Sequence, residues 1–166
     1  EMRSTGEVLG LADSFGLAFY RAQEATQSKL PLEGSVLITV AEPDKGGVLD
    51  AARQFQNLGF TIRATNGTHA FLSQHGVASE LIKKVHEGRP NIVDAITNGE
   101  IQLVINTPAG KLSAHDDSYI RKSAIKHKVP YVTTTAAAIA AARGIAARKE
   151  DSSSVRSLQE YHEKIR

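Results

Sequence analysis

Four short apolar runs in this chain each end in a loop carrying hydroxyl, amide or lysine side chains, and those loops hold the residue types best suited to chemistry. Val36-Leu37-Ile38-Thr39-Val40 leads to Asp44-Lys45, and Phe60-Thr61-Ile62-Arg63-Ala64 leads to Thr65-Asn66-Gly67-Thr68. Leu81-Ile82-Lys83 leads to Lys84-Val85-His86-Glu87-Gly88, and Ile101-Gln102-Leu103-Val104-Ile105 leads to Asn106-Thr107-Pro108-Ala109-Gly110-Lys111. In an open parallel sheet, ligands bind in the crevice beyond the carboxyl ends of the strands, so loops from several strands converge on one small molecule. Lysines together with threonine and asparagine side chains beside a helix N-terminus suit a phosphate monoester. The chain has no cysteine, and the loops show no metal-ligand spacing. An anion pocket is therefore the first expectation.

The elements that must position these loops alternate between strand and helix. A helical stripe of Phe15, Leu17, Ala18, Phe19 and Ala22 covers 13–27, with Asp13 or Ser14 as its cap. Pro31 and Gly34 break that pattern, so 28–34 reads as a linker and the strand-helix repeat begins at Ser35. A helix over 47–57 stops at Gly59, and one over 91–97 stops at Gly99. Further helices are expected over 69–74, 117–126 and 135–148, with a strand Tyr131-Val132-Thr133-Thr134 after Pro130. Asp151-Ser152-Ser153-Ser154 would cap a last amphipathic helix ending at Arg166. Parallel neighbours need crossover helices, and right-handed connections put these on both faces of the sheet. The predicted fold is α/β: a Rossmann-like, doubly wound sheet of about five parallel strands, with an extra N-terminal helix and a C-terminal helix.

Composition narrows the function classes. A length of 166 residues with 41% hydrophobic content suits one domain with a small appendage and a real core. Without cysteine there are no disulfides, thiolate nucleophiles or zinc-thiolate sites, in keeping with a reducing cytoplasm. A formal charge of +2, with basic residues spread among acids, argues against nucleic acid as partner. No run approaches the roughly 20 apolar residues that span a bilayer, and the first residues lack a signal pattern, so a soluble, cytoplasmic protein is expected.

Each motif has a plainer reading beside the functional one. Gly67 serves a tight turn and Thr68 caps the following helix, or both meet a phosphate; a capping threonine and a phosphate-binding one occupy the same position. Lys45 alone is an ordinary surface lysine, but Pro43-Asp44-Lys45-Gly46-Gly47 also ends a strand, and its glycines allow close backbone approach. Lys84 lies on either face of its strand. Pro90 suits a first helical position. His86-Glu87 and His115-Asp116 are either acid-base machinery or hydrogen-bonded structure. There is no nucleophile elbow, no P-loop and no Gly-x-Gly-x-x-Gly, and Pro108 removes an N–H from the loop after Asn106.

Several strings together resemble a known family: Val40-Ala41-Glu42-Pro43-Asp44-Lys45, Ala64-Thr65-Asn66-Gly67-Thr68, Lys84-Val85-His86-Glu87-Gly88-Arg89-Pro90-Asn91-Ile92, Asn98-Gly99-Glu100, Val104-Ile105-Asn106-Thr107 and Val129-Pro130-Tyr131-Val132-Thr133-Thr134. They resemble the C-terminal regulatory domain of the large subunit of bacterial-type carbamoyl-phosphate synthase, of the methylglyoxal-synthase-like group. Residues 1–34 resemble the end of the preceding synthetase domain plus a linker, and 35–166 the allosteric domain with its closing helix.

The resemblance implies a sensor inside a larger enzyme rather than a catalyst. The parent would make carbamoyl phosphate for pyrimidine and arginine biosynthesis, as an ATP-dependent ligase using Mg2+ or Mn2+ and K+. Its active sites would lie in the synthetase domains and the small glutaminase subunit, leaving this chain no cofactor of its own. The family's effectors UMP, an inhibitor, and IMP, an activator, would meet Lys45, Thr65, Thr68, Lys84 and Asn106, with Thr39 and Asp116 as further candidates. Pro108 departs from the enterobacterial pattern, which has a second threonine there. An ornithine site at the junction with the synthetase domain would use Tyr131 and Thr133, residue types common in any strand.

The competing expectation is a lyase like methylglyoxal synthase, acting on dihydroxyacetone phosphate. It would need a carboxylate base with histidine assistance. In the matching alignment Arg89 stands near the catalytic aspartate and Glu42 near the first histidine, while His115 and Asp116 are retained. A Rossmann dinucleotide domain is excluded by the missing glycine fingerprint.

Overall fold

The structure, a computed structural model, describes residues 6–26, 28–108, 114–151 and 157–163. Five strands form one parallel sheet: β1 (Ser35–Thr39), β2 (Thr61–Ala64), β3 (Glu80–Leu81), β4 (Leu103–Asn106) and β5 (Tyr131–Val132). Their order is β3-β2-β1-β4-β5, with Ile38 beside Ala64 on one side of β1 and Thr39 beside Asn106 on the other. The chain winds outward from β1 to β3, then crosses back to β4. The order reverses between β1 and β4, and such a switch point opens a crevice at the carboxyl ends of the strands.

Seven α-helices accompany the sheet among the described residues: α1 (Phe15–Ala25), α2 (Lys45–Asn57), α3 (Asn66–Gln74), α4 (Ile92–Thr97), α5 (Ala114–Lys126), α6 (Thr135–Glu150) and α7 (Leu158–His162). Strand alternation sorts them into two layers. Val36 and Ile38 face a core filled by Tyr20 of α1, Val48 and Phe55 of α2, Leu72 of α3 and Ala138, Ala141 and Ile145 of α6. Leu37 and Val104 face the opposite core, built from Ile92 and Ile96 of α4 and Ile120 and Ala124 of α5. The buried Phe55 ring meets Phe60 edge-on at 5.7 Å between centroids. Small residues set the close spacing of the outer pair. A Cβ on Gly16 would lie 2.8 Å from the Arg143 carbonyl oxygen, so α1 and α6 touch backbone to backbone.

The doubly wound parallel sheet with terminal helices is as expected, but several boundaries differ. Ser14, rather than Asp13, caps α1, accepting from the Leu17 N–H. The residues read as a linker include Leu30, which is buried and accepts from the Tyr20 hydroxyl through its carbonyl. Helix α2 begins at Lys45 instead of 47, because a 3-10 turn over Glu42–Asp44 feeds directly into it. Helix α3 begins at Asn66, so Thr68 sits within its first turn and Thr65 is the N-cap. Strand β3 stops at Leu81, two residues short of the expected end, and the Ile82 N–H makes the last bond to Ala64. Pro90 precedes α4 rather than opening it; Asn91 is the cap, accepting from the Val93 and Asp94 N–H groups. Strand β5 ends at Val132, and Thr134 caps α6 by accepting from Ala137. Ser157 caps α7, and the expected cap at 152–154 lies outside the described residues, as do Lys111 and the end of the chain at 164–166.

Candidate functional site

A cavity of about 580 Å³ opens at the carboxyl ends of β1, β2 and β4, over the switch point. Its walls include Thr39, Lys45, Thr65, Thr68, Lys84, Asn106 and Asp116, all seven of the residues singled out for an anion or nucleotide. The two strand-end threonines are tied together: Thr39 and Thr65 share a buried hydroxyl hydrogen bond of 3.0 Å. Since the Thr65 hydroxyl is turned to Thr39, it makes no cap bond to α3. The first N–H groups of a helix have no carbonyl one turn back, and those of α3 adjoin the cavity at Gly67 and Thr68. Such exposed N–H groups favour an anion.

The loop after β1 is clamped from both sides. Thr68 Oγ1 accepts from the Val40 N–H at 3.3 Å, and Thr107 Oγ1 accepts from the Ala41 N–H at 2.9 Å. This fixes the entry into α2 and aims Lys45 across the cavity toward Gly67, whose Cβ position lies 3.5 Å from Lys45 Nζ. The Lys45 side chain is 13% exposed, and its ammonium pairs with Glu42 at 2.6 Å, three residues earlier. Lys84 comes after β3, at the start of a 3-10 turn held by its own N–H bonding to the Glu87 carboxylate. Among the described residues no carboxylate pairs with the Lys84 ammonium.

On the β4 side, Asn106 Nδ2 donates to Asp117 Oδ1 at 3.0 Å and to the Tyr131 hydroxyl at 2.7 Å. A carboxylate only accepts, so the amide nitrogen must face it, leaving Oδ1 as the acceptor that Asn106 can offer elsewhere. Burial pushes the Tyr131 phenol above its ordinary range, and the bond from Asn106 partly offsets that. Tyr131 itself borders a separate hollow with Ser28, Arg121 and Lys128. Thr133 lies exposed just beyond β5. Tyr131 and Thr133 are thus not walls of the first cavity, although Tyr131 touches it through Asn106.

Sequence reasoning had not selected Glu42, His86, Thr107 and Asp117 for the anion site, all of which line the cavity. His86 Nδ1 is bonded to Asp116 Oδ2 across the opening. Glu42 was legible as a carboxylate at helical spacing from Lys45. Asp117 comes from α5, and no local pattern announced it. Arg89 is not a wall of the cavity: it binds Asp94, whose carboxyl that contact holds below the usual range. The His115 side chain lies outside the described residues. Among the described residues there is no cluster of three metal-binding side chains, and no helix is long and apolar enough to cross a membrane.

The fold and the cavity define a Rossmann-like α/β domain with an anion-suited crevice at its switch point. A family model described as the MGS-like domain matches residues 47–133, and the chain belongs to that family. It is similar to the carbamoyl phosphate synthase large chain of Gemmatimonas aurantiaca, 50% identical over 166 residues, covering 100% of this chain and 15% of that protein. The large chain of Archaeoglobus fulgidus is 50% identical over 164 residues, covering 98% of this chain and 15% of that protein. The "Carbamoyl phosphate synthase large chain, C-terminal section" of Aquifex aeolicus is 49% identical over 167 residues, 98% of this chain and 31% of that protein. The chain thus spans about a seventh to a third of the length of these relatives, one of which is itself named a C-terminal section.

Proposed function

We propose that this chain is the allosteric effector domain of a carbamoyl-phosphate synthase large chain, and that its cavity takes a nucleoside monophosphate such as UMP or IMP. The observation that carries the reading is the gathering of Lys45, Thr65, Thr68, Lys84 and Asn106, from four separate strand ends, around one crevice of about 580 Å³. The two lysines supply charge, and the first turn of α3 supplies N–H donors for a phosphate. The crevice is far larger than a phosphate, leaving room for a ribose and base beside Val40, Ala41 and Ile120.

In this reading the chain senses and does not catalyse. ATP-dependent carbamoyl phosphate synthesis, with its Mg2+ or Mn2+ and K+, belongs to the synthetase domains of the same large chain and to a small glutaminase subunit, in the cytoplasm. Tyr131 and Thr133 would contribute to ornithine binding against the adjoining synthetase domain. The alignment also favours a sensor, because the residue that falls near the lyase's catalytic aspartate is Arg89, and a guanidinium cannot act as a carboxylate base.

Calorimetric titration with UMP, IMP, inorganic phosphate and dihydroxyacetone phosphate tests the proposal. Saturable binding of a nucleotide, with no methylglyoxal formed from dihydroxyacetone phosphate, is expected. Turnover of dihydroxyacetone phosphate above the buffer rate would overturn it in favour of a lyase.

A further inference from the structure

We infer that Glu42 is a built-in competitor for the ligand phosphate at Lys45, so that an incoming anion must displace a carboxylate before it gains that lysine. The inference rests on the nucleotide reading of the same cavity. Two cations line the crevice, and they are not equivalent. The Lys84 ammonium has no carboxylate partner among the described residues, whereas Lys45 is paired with Glu42 at 2.6 Å.

The two halves of that pair are held very differently. Lys45 is 13% exposed, lies over the first turn of α3 and reaches the cavity from a clamped loop. Glu42 is 82% exposed, and among the described residues the ion pair is its one side-chain anchor. A carboxylate so placed loses little by swinging into solvent, since an exposed ion pair is weak. A phosphate dianion brings more charge and more acceptor oxygens than a single carboxylate, and it also meets Lys84 and the α3 N–H groups. Glu42 therefore sets a threshold that a dianion bridging both lysines exceeds and that a lone monoanion at Lys45 does not. The same pairing keeps Lys45 oriented toward the cavity when no ligand is bound.

The test is calorimetric titration of UMP into the wild type, Glu42→Gln, Lys45→Ala and the double variant, in one buffer. Glu42→Gln keeps the size of the side chain and removes its charge. It should tighten UMP binding about two- to fivefold, the scale of an exposed ion pair. In the Lys45→Ala background the same substitution should change affinity by much less, because there is nothing left to compete for. Tightening of equal size in both backgrounds would mean that Glu42 acts by general repulsion, and would overturn the inference. So would unchanged or weaker binding in Glu42→Gln. If Lys45→Ala binds as the wild type does, the nucleotide reading of the cavity fails first; if it binds more weakly while Glu42→Gln is silent, only the competitor is lost. Binding seen in Glu42→Gln and not in the wild type would support the inference, and binding in neither would overturn both.

Discussion

Replacing Lys84 by alanine should weaken nucleotide binding more than replacing Lys45, and the difference can be worked from the geometry. Hydrogen bonds to charged groups contribute about 1.5–3 kcal/mol, so loss of a lysine–phosphate contact lowers affinity roughly 10- to 150-fold. Lys84 has no carboxylate partner to give up among the described residues, so its removal should cost that whole amount. Lys45 must first leave Glu42, and an exposed ion pair returns about 0–1 kcal/mol, so Lys45→Ala should cost less by that margin. Titration of UMP into both variants and into Arg53→Ala, an exposed arginine of α2, reads the order directly. Affinity should also fall with added salt in the wild type, because the crevice is open to solvent. Lys84→Ala binding within twofold of the wild type would refute the phosphate role of that lysine. Lys45→Ala proving the costlier change would refute the unequal pairing.

The other expectations concern the frame around the cavity. Thr65→Val breaks the buried hydroxyl bond to Thr39 and strands that hydroxyl, which should lower stability by about 1–3 kcal/mol in urea unfolding; a change within experimental scatter would show that the bond is not needed. Gly16→Val puts a side chain against the Arg143 carbonyl and should cost about 1–3 kcal/mol, read as a lower melting temperature; an unchanged melting temperature would mean that α1 shifts freely on α6. Arg89 holds the Asp94 carboxyl below its ordinary value, so its contribution is complete above the unfolded pKa of about 3.9 and is lost as pH falls through the lower native value. Arg89→Ala should accordingly flatten the acid limb of the stability profile, and an acid limb identical to the wild type would contradict that assignment.

Much of this protein was readable from local sequence, for physical reasons that differ between elements. Strand β1 and strand β4 are short apolar runs flanked by turn residues, and their period-two alternation serves two cores, so Leu37 and Ile38 announce opposite faces by adjacency alone. The loops that carry Lys45, Thr65, Thr68, Lys84 and Asn106 followed from the rule that parallel sheets bind at their carboxyl ends, and the family resemblance singled out those residues within them. Edges were less legible. Helix α2 runs two residues earlier than expected because a 3-10 turn with a proline joins it without a break, and β3 is short because a sheet edge needs pairing on one side only.

What tertiary structure alone decided was which side chains spend their hydrogen bonds on one another. Nothing local says that Thr65 bonds Thr39 instead of capping α3, since that depends on β1 and β2 lying side by side. Nor could spacing show that Asn106 is shared between Asp117 and Tyr131, which come from α5 and β5. Glu42 and Lys45 were visible at helical spacing, but only the clamped loop and the first turn of α3 determine that Lys45 is partly buried while Glu42 stays in solvent. Sequence sets residue types and periods through local sterics and burial. The fold sets partners, because strand order brings together groups that are far apart along the chain.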